Sequence, residues 1–203
     1  CDMSFFENTR KPVGLGGKLM VAMMNVGHSA VARWGLQFLN AAPDAKVLDC
    51  GCGGGANIRR LLKKCPQGIV KGIDYSPVSV EKSQKVNQAA ITEGRCAVLQ
   101  GSVADMMFAD NWFDAVTAFE TVYFWPDLPR CFREVHRVLK PGGAFLICNE
   151  ANGDTDRDEK WTKIIGGMTI YQDTELKAYL EQAGFHEVQV HKKKSWLCIA
   201  ARK

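Results

Sequence analysis

The sequence predicts a single α/β domain in which a largely parallel β-sheet carries helices on both faces. From Lys46 onward, short apolar runs alternate with segments of helical periodicity, the pattern of parallel strands joined by crossover helices. Two further apolar runs close the chain and are joined by a short turn at 192–195, so these two strands must be antiparallel. Neither a repeat nor a linker divides the 203 residues, which predicts one domain over 1–203.

Five parallel strands and a terminal antiparallel pair are expected from these apolar runs. The parallel strands are Lys46–Cys50, Ile69–Asp74, Cys96–Gln100, Phe113–Phe119 and 144–149. The terminal pair comprises 185–190 and 196–201. The α/β core therefore covers 46–203.

Helices are predicted where apolar residues recur every three or four positions. The first is Ala56–Lys64, and the second opens at Pro77 with Ser76 as its N-cap and runs to about residue 91. A third covers 127–139 and is stopped by Pro141-Gly142-Gly143. A fourth contains Leu176, Tyr179, Leu180 and Ala183 and ends at Gly184.

Residues 1–45 form an N-terminal helical segment or lid ahead of the sheet. Two helical patterns are visible within 5–40, namely Leu19, Ala22, Met23 and Val26, then Val31, Trp34, Phe38 and Leu39. The segment could pack as a lid on one edge of the sheet or close over a ligand. The sequence leaves both possibilities open.

Composition excludes several classes of function. The net charge of +4 is low, and the one dense basic run is 192–194, so nucleic acid is not favoured as a partner. No apolar run approaches the ~20 residues that span a bilayer, and 4–18 lacks the pattern of a signal peptide. None of the eight cysteines has zinc-type spacing, so we expect no metal, reduced thiols and a cytoplasmic protein. Oligomeric state is left open.

A carboxylate followed by a glycine loop carries the chemical signal. The run Val47–Gly55 reads VLDCGCGGG, in which a strand ends and a loop turns directly into a helix. Glycines allow the tight turn and a close ligand approach, and the helix N-terminus offers free N–H groups. Gly51, Gly53 and Ala56 also fit a dinucleotide pattern. Asp49 argues against that reading, because it would repel a pyrophosphate but suits the ammonium of an amino-acid cofactor.

Asp74 is the second element of this predicted site. It ends the second strand, where a carboxylate can accept hydrogen bonds from two ribose hydroxyls. An aspartate at a strand end is as often a turn or cap residue. Its combination with Asp49 and the glycines favours the functional interpretation.

Five segments follow one another along the chain: VLDCGCGGG (47–55), GIDYS (72–76), GSV (101–103), DNWFDAV (110–116) and EVHRVLKPGG (134–143). In this order they resemble the motifs of class I S-adenosylmethionine (SAM)-dependent methyltransferases, which have a Rossmann-like sheet. The small-molecule and ubiquinone-biosynthesis branch is the most similar, over about residues 46–203.

The resemblance implies SAM as cofactor, S-adenosylhomocysteine as product, and a role for each matching residue. It places Asp49 near the amino-acid end, with Gly51, Cys52, Gly53 and Gly55 passing along the cofactor, and Asp74 on the ribose. Tyr75 lies beside the adenine, Ser102 and Val103 meet its edge, and Phe119 and Glu120 border the methionine moiety. Ser102 departs from the family pattern, since many members carry Asp there.

The acceptor is expected to be a small molecule. The Asn/Asp-Pro-Pro-aromatic loop of many base and protein-glutamine methyltransferases is absent after the fourth strand, where 119–122 reads FETV. Glu120, Tyr123, Trp125 and Glu150 could line an acceptor pocket at the carboxyl ends of strands, with Asn25, His28 and Tyr171 reaching over it. Tyr123, Phe124, Trp125 and Trp161 favour a partly apolar or planar acceptor. Packing explains each of these residues equally well, and no catalytic base is assigned.

Three functions remain open on this basis. The first is a SAM-dependent methyltransferase that acts on an unidentified small molecule. The second is an NAD-dependent oxidoreductase, against which Asp49 and the terminal antiparallel pair argue. The third is a module that binds SAM without turnover, since methyl transfer requires no particular catalytic residue.

Overall fold

A computed structural model of the chain describes residues 29–154, 162–163 and 165–203. The predictions for Leu19 to Val26, for Asn25 and His28, and for Trp161 lie outside these residues.

A seven-stranded sheet forms the centre of the molecule, as the sequence predicts. Its strands are β1 (Lys46–Cys50), β2 (Ile69–Asp74), β3 (Cys96–Gln100), β4 (Phe113–Phe119), β5 (Leu139–Asn149), β6 (His186–Lys193) and β7 (Trp196–Arg202). Their order is β3-β2-β1-β4-β5-β7-β6. The first five are mutually parallel, and β7 pairs antiparallel with both β5 and β6.

The strand order places a topological switch between β1 and β4. The chain runs outward through β2 and β3 on one side of β1, then crosses to β4 and β5 on the other. Connections on the two sides therefore leave the central strands in opposite directions. A crevice forms at such a point, beyond the carboxyl ends of the strands, and it is where open α/β sheets bind ligands.

Six α-helices flank the sheet in the described part of the chain. They are α1 (Ser29–Gly35), α2 (Ala56–Lys64), α3 (Pro77–Val86), α4 (Gln88–Thr92), α5 (Leu128–Val138) and α6 (Asp173–Gln182). Short 3-10 turns occupy Leu36–Phe38 and Val122–Phe124. As predicted, Ser76 caps α3, because its hydroxyl accepts a hydrogen bond from the Ser79 amide at 3.4 Å.

Several of the predicted boundaries were wrong. The helix expected from Pro77 to residue 91 is interrupted at Asn87, whose side-chain amide binds the carbonyls of Gly55 and Ser83 instead of facing solvent. The fifth strand, predicted to begin at residue 144, begins at Leu139 because Leu139 pairs with Phe113, so the helix before it ends at Val138 and not at residue 139. The sixth strand, predicted over 185–190, spans His186–Lys193 because its pairing with β7 continues to Lys193.

The helices on both faces of the sheet bury two separate apolar layers. The α5–α6 layer joins α5 and α6 to one face through Phe132, Val135, Leu176, Leu180, Phe145 and Ile147. The α1–α2–α3 layer covers the other face through Ala32, Ile58, Leu61, Val80, Leu146 and Cys148. The alternation of strand side chains between faces supplies both layers from the same strands.

The described part of the N-terminal segment packs against the β7–β6 side of the sheet. Trp34 approaches Trp196 with ring centroids 5.8 Å apart, and Phe38 stacks on His191 at 3.8 Å. At its start, α1 meets α2, where Arg60 donates to the Ser29 hydroxyl at 2.6 Å. Residues 29–38 therefore join the sheet edge to the helix that follows the glycine loop.

Arg137 fastens the connection between β3 and β4 to α5. Its guanidinium donates to the carbonyls of Met106 and Phe108, both at 2.8 Å, and to Asp110 at 2.6 Å. It also binds both carboxylate oxygens of Glu134 at 2.8 and 2.9 Å. The Glu134 carboxylate lies one turn before Arg137 on α5, and the hydrogen bonds from Arg137 lower its pKa.

Replacing Arg137 by Lys should destabilise the protein by about 1–3 kcal/mol, because one ammonium cannot serve two carbonyls and two carboxylates at once. Chemical denaturation measures this loss. Arg133→Lys is the matched control, since Arg133 is exposed on the same helix, and it should change stability by less than about 0.5 kcal/mol. Equal losses of stability in the two variants would contradict the role of Arg137 in holding the β3–β4 connection to α5.

Candidate functional site

The predicted cofactor residues converge at the carboxyl ends of β1 and β2. Asp49 and Asp74 lie on these adjacent strands, and the loop 51–55 runs from β1 into α2. The amides of Gly51 and Cys52 both donate to the carbonyl of Ile73, at 2.8 and 3.1 Å. Backbone hydrogen bonds therefore fix the glycine loop onto β2 next to Asp74.

The glycines of the loop serve different purposes. A Cβ atom on Gly51 would lie 1.9 Å from the hydroxyl oxygen of Thr121, so Gly51 is required for packing. Gly53 has a φ of 51°, and a Cβ there would meet no atom within 4 Å. Gly53 therefore faces open space, and its bare backbone leaves room for a ligand to approach.

Asp74 joins the loop to the start of α3. One carboxylate oxygen accepts the Gly53 amide and the other accepts the Ser76 amide, both at 2.9 Å. Burial raises the pKa of Asp74, while the two amides act in the opposite direction. Each oxygen retains a lone pair, so the carboxylate can still accept hydrogen bonds from two ligand hydroxyls.

Asp49 is the most deeply buried carboxyl group of this site. Only 1% of its surface is exposed, and one oxygen accepts a hydrogen bond from the Thr117 hydroxyl at 2.7 Å. Burial raises the pKa of Asp49 to about 7, and the nearby charge of Asp74 adds to the increase. A cation bound beside Asp49 would favour the ionised form and lower this pKa.

The residues predicted for the adenine lie at the ends of β2 and β3. Tyr75 follows Asp74 and is 39% exposed, so its ring can cover a flat ligand. Val103 is buried, while Ser102 is exposed, and its hydroxyl accepts a hydrogen bond from the Ala104 amide at 3.2 Å. These three residues and Asp74 share one end of the crevice.

Phe119 and Glu120 close the other end, where β4 meets β5. Phe119 is buried in the α1–α2–α3 layer. Glu120 has a left-handed backbone with φ 57°; its amide donates to the Cys148 carbonyl at 2.9 Å, and its carboxylate accepts the Glu150 amide. Both contacts tie the residue after β4 to the end of β5.

Tyr123 and Trp125 lie in the core of the molecule. The Tyr123 hydroxyl bonds to the amide of Ala151 at 3.0 Å, and the Trp125 indole donates to the Thr121 hydroxyl at 3.1 Å. The Trp125 ring also stacks parallel to Phe145 at 6.3 Å. Packing thus accounts for both aromatic residues, and they position the β4–α5 connection.

The remaining acceptor candidates are dispersed. Glu150 is half-buried beside Glu120, and Tyr171 is half-buried 6.3 Å from Tyr179 on α6. Asn25 and His28 lie outside the described residues. The structure therefore brings together the predicted cofactor residues more closely than the predicted acceptor residues.

The sequence analysis missed Thr117 and Asn87 as site residues. Thr117 lies directly opposite Asp49 in the β1–β4 pairing, and it is the only hydroxyl in the strand Phe113–Phe119. Asn87 holds the Gly55 carbonyl from the break between α3 and α4. Thr117 could have been recognised from the sequence, because it is a polar residue within an apolar strand. Asn87 could not, because the Gly55 carbonyl that it binds is 32 residues away in the chain.

Neither a metal site nor a membrane span was found in the described part of the chain. No group of three or more His, Cys, Asp or Glu residues there could hold a metal ion. Over residues 29–154, 162–163 and 165–203, none of the helices has the length and apolar character needed to cross a bilayer. Seven cysteines in the same ranges are free and buried.

Comparison with known proteins identifies the family. A model of the methyltransferase domain matches residues 48–147, which include the glycine loop, Asp74 and β4. The chain belongs to the class I SAM-dependent methyltransferases. In this family the methyl donor is SAM.

Among curated relatives, the cycloartenol-C-24-methyltransferase of Arabidopsis thaliana is 31% identical over 160 residues. That match covers 74% of this chain and 47% of the relative. The chain spans about half or less of the length of the curated relatives it matches first.

Solved structures at low sequence identity share the fold. A Haemonchus contortus phosphoethanolamine N-methyltransferase, solved with S-adenosylhomocysteine, superposes over the whole chain and 61% of its own, with TM-score 0.80 and 15% identity. The [4+2]-cyclase SpnF superposes over 86% of this chain and 80% of its own, with TM-score 0.72 and 19% identity. Since one of these proteins is a cyclase, the fold alone does not define the reaction.

Three structural observations show that the candidate site fits SAM. Gly53 leaves open space along the loop, Asp74 keeps acceptor capacity for ribose hydroxyls, and Asp49 offers a buried carboxyl to an ammonium group. A diphosphate placed along the same loop would meet both carboxyl groups. The donor set therefore suits a cationic nucleoside better than an anionic dinucleotide.

Asp49→Asn should stabilise the ligand-free protein at neutral pH. The folded-state pKa near 7 exceeds the ordinary value of 3.8, so the native state holds a proton that the unfolded chain has released, and stability falls as pH rises from about 4 to about 7. The variant lacks this loss and should gain on the order of 2 kcal/mol at pH 7.5 but little at pH 4.

Urea denaturation of both proteins between pH 4 and pH 8 measures the difference. A stability difference that does not change with pH would show that the Asp49 carboxyl ionises with an ordinary pKa.

Proposed function

We propose that this chain catalyses transfer of a methyl group from SAM to a small-molecule acceptor. The observation that carries the proposal is the open face of Gly53 between two buried carboxyl groups, Asp49 and Asp74. Glycine loops occur in many nucleotide sites, but a buried acidic residue directly before the loop selects for a positively charged ligand. The family membership of residues 48–147 supports the same conclusion.

Each residue of the site has a role in holding the donor. Asp74 accepts the two ribose hydroxyls, and Tyr75 covers the adenine, with Ser102 and Val103 at its edge. Asp49 faces the ammonium, and Gly51, Cys52, Gly53 and Gly55 provide the backbone surface along which the donor lies. Phe119 and Glu120 border the methionine moiety, next to the ends of β4 and β5.

The protein contributes mainly alignment and exclusion of water. Bound SAM supplies an electrophilic methyl group on a sulfonium. The residues around it hold the acceptor in line with that group, at near-attack distance, which removes much of the entropic cost of the reaction. Glu120, held between two contacts to β5, is placed to keep this edge of the site rigid.

The acceptor lies on the β4–β5 side of the crevice, because the donor occupies the β1–β2 side. The first curated relatives are named as sterol methyltransferases, which supports an acceptor with a large apolar body. Sterols are accordingly the first acceptor class to assay. Because the chain covers about half or less of those relatives, this assignment rests on the methyltransferase domain alone.

A reducing cellular compartment suits the thiols. Cys148 and Cys198 face each other across β5 and β7 with their sulfur atoms 3.4 Å apart and no disulfide between them. We place the protein in the cytoplasm on this basis.

A thermal-shift comparison of SAM, S-adenosylhomocysteine and NAD tests the cofactor. A ligand at 100 times its dissociation constant stabilises a protein by about 2.7 kcal/mol, or roughly 5–10 °C for a chain of this length. We expect shifts of this size with the first two compounds and none with NAD. A shift with NAD alone would overturn the proposal and favour the oxidoreductase alternative.

Release of S-adenosylhomocysteine on adding SAM and cell extract distinguishes an enzyme from a module that only binds SAM. We expect product to form in proportion to protein. Binding without any release would favour the binding module.

Gly53→Ala should weaken S-adenosylhomocysteine binding by at least tenfold, about 1.4 kcal/mol, because the new methyl group occupies the path of the ligand. Gly94→Ala is the matched control. Gly94 has a similar left-handed φ of 74°, and a Cβ there would also meet no atom within 4 Å, but it lies in the turn before β3.

Both variants should lose roughly 1–2 kcal/mol of stability from backbone strain alone. Isothermal titration at 25 °C and urea denaturation separate the two effects. Equal affinities in the two variants would contradict the placement of the cofactor along Gly53.

A further inference from the structure

Asn149 is the last residue of β5 and stands at the ligand edge of the sheet. Phe145 and Ile147 precede it at alternate positions and face the α5–α6 layer, so Asn149 continues that apolar row. Its partner across β7 is Leu197, which belongs to the same layer. An amide side chain thus replaces an apolar one at the end of the row.

The side chain of Asn149 is fully buried and has no partner within the described part of the chain. None of its surface is exposed, and neither its Nδ2 nor its Oδ1 atom has a hydrogen-bond partner there. Among buried side chains of the described residues, it alone leaves two polar atoms unpaired. Leaving such groups unpaired costs stability, and a leucine of similar size would avoid that cost.

The position of Asn149 near the proposed donor offers a functional reason for keeping an unpaired amide that lowers stability. The residues around it join β4 to β5: Glu120 binds the Cys148 carbonyl and the Glu150 amide, and Tyr123 binds Ala151. In the proposed function Phe119 and Glu120 border the methionine moiety of the donor, so its methyl group lies on this half of the sheet. An acceptor that receives the methyl group must therefore lie near the end of β5.

We infer that the Asn149 amide binds a neutral polar group of the acceptor, a hydroxyl or a carboxamide, beside an apolar body. This inference rests on the proposed function and names the acceptor chemistry of the same site. One amide supplies both a donor and an acceptor atom, which a hydroxyl or a carboxamide satisfies together. The apolar neighbours Phe145, Ile147 and Leu197 offer no counterion, so a carboxylate or phosphate is disfavoured there.

Two substitutions test whether the amide is kept for binding or for structure. Asn149→Leu removes unpaired polar atoms and should raise the melting temperature by a few degrees. Asn152→Leu is the matched control, because Asn152 is also buried but donates to the Lys194 carbonyl and accepts from the Asp154 amide. It should lower the melting temperature.

Fragment binding tests the ligand chemistry directly. Protein saturated with S-adenosylhomocysteine is titrated with benzyl alcohol, benzamide, toluene and benzoate at millimolar concentrations, and the Asn149 side-chain amide is followed by NMR. We expect the alcohol and the amide to shift this resonance and to bind at least about fivefold more tightly than toluene. Asn149→Leu should abolish that preference and leave S-adenosylhomocysteine affinity unchanged.

The outcomes separate the two proposals. If S-adenosylhomocysteine does not bind, the proposed function fails. If it binds normally but no fragment shifts the amide, or the variant keeps the wild-type preference, only the assignment of Asn149 is overturned. A melting temperature that falls in Asn149→Leu as far as in Asn152→Leu would also overturn it.

Discussion

The burial of the Asp49 carboxyl group is the constraint on which the site depends. An ionised carboxylate in the centre of a sheet is unfavourable, and here one neutral hydroxyl, that of Thr117, is its hydrogen-bond partner in the described structure. This buried carboxyl group lies on the central strand β1, next to the topological switch between β1 and β4. A cationic ligand would offset this unfavourable burial. The carboxyl group that lowers the stability of the ligand-free protein therefore favours binding of the ligand.

The surrounding backbone is arranged to keep this carboxyl group and Asp74 in place. The loop 51–55 is fixed by the Ile73 carbonyl and by Asp74, while Asn87 holds Gly55 from the break between α3 and α4. These contacts are made by the protein alone, before any ligand binds. A preformed loop of this kind avoids the cost of ordering the chain when the donor arrives.

The two halves of the crevice differ in character. The β1–β2 half presents carboxyl groups and backbone amides, which suits the polar ends of the donor. The β4–β5 half is apolar around Phe145, Ile147 and Leu197. Asn149 is a polar side chain among these residues, and Glu120 lies at the edge of this half. Such a division would let one fold keep its donor site while the acceptor side varies.

The sequence by itself determined the sheet and both helical faces and predicted the donor residues, because each leaves a local pattern. Periodicity identifies strands and helices, and the run 47–55 carries the carboxyl group and glycines within nine residues. Only the tertiary structure decided that Thr117 faces Asp49, that Tyr123 and Trp125 belong to the core, and that Asn149 lacks hydrogen-bond partners among the described residues. Those properties depend on the register between segments far apart in the chain, and side-chain periodicity within one segment carries no information about that register.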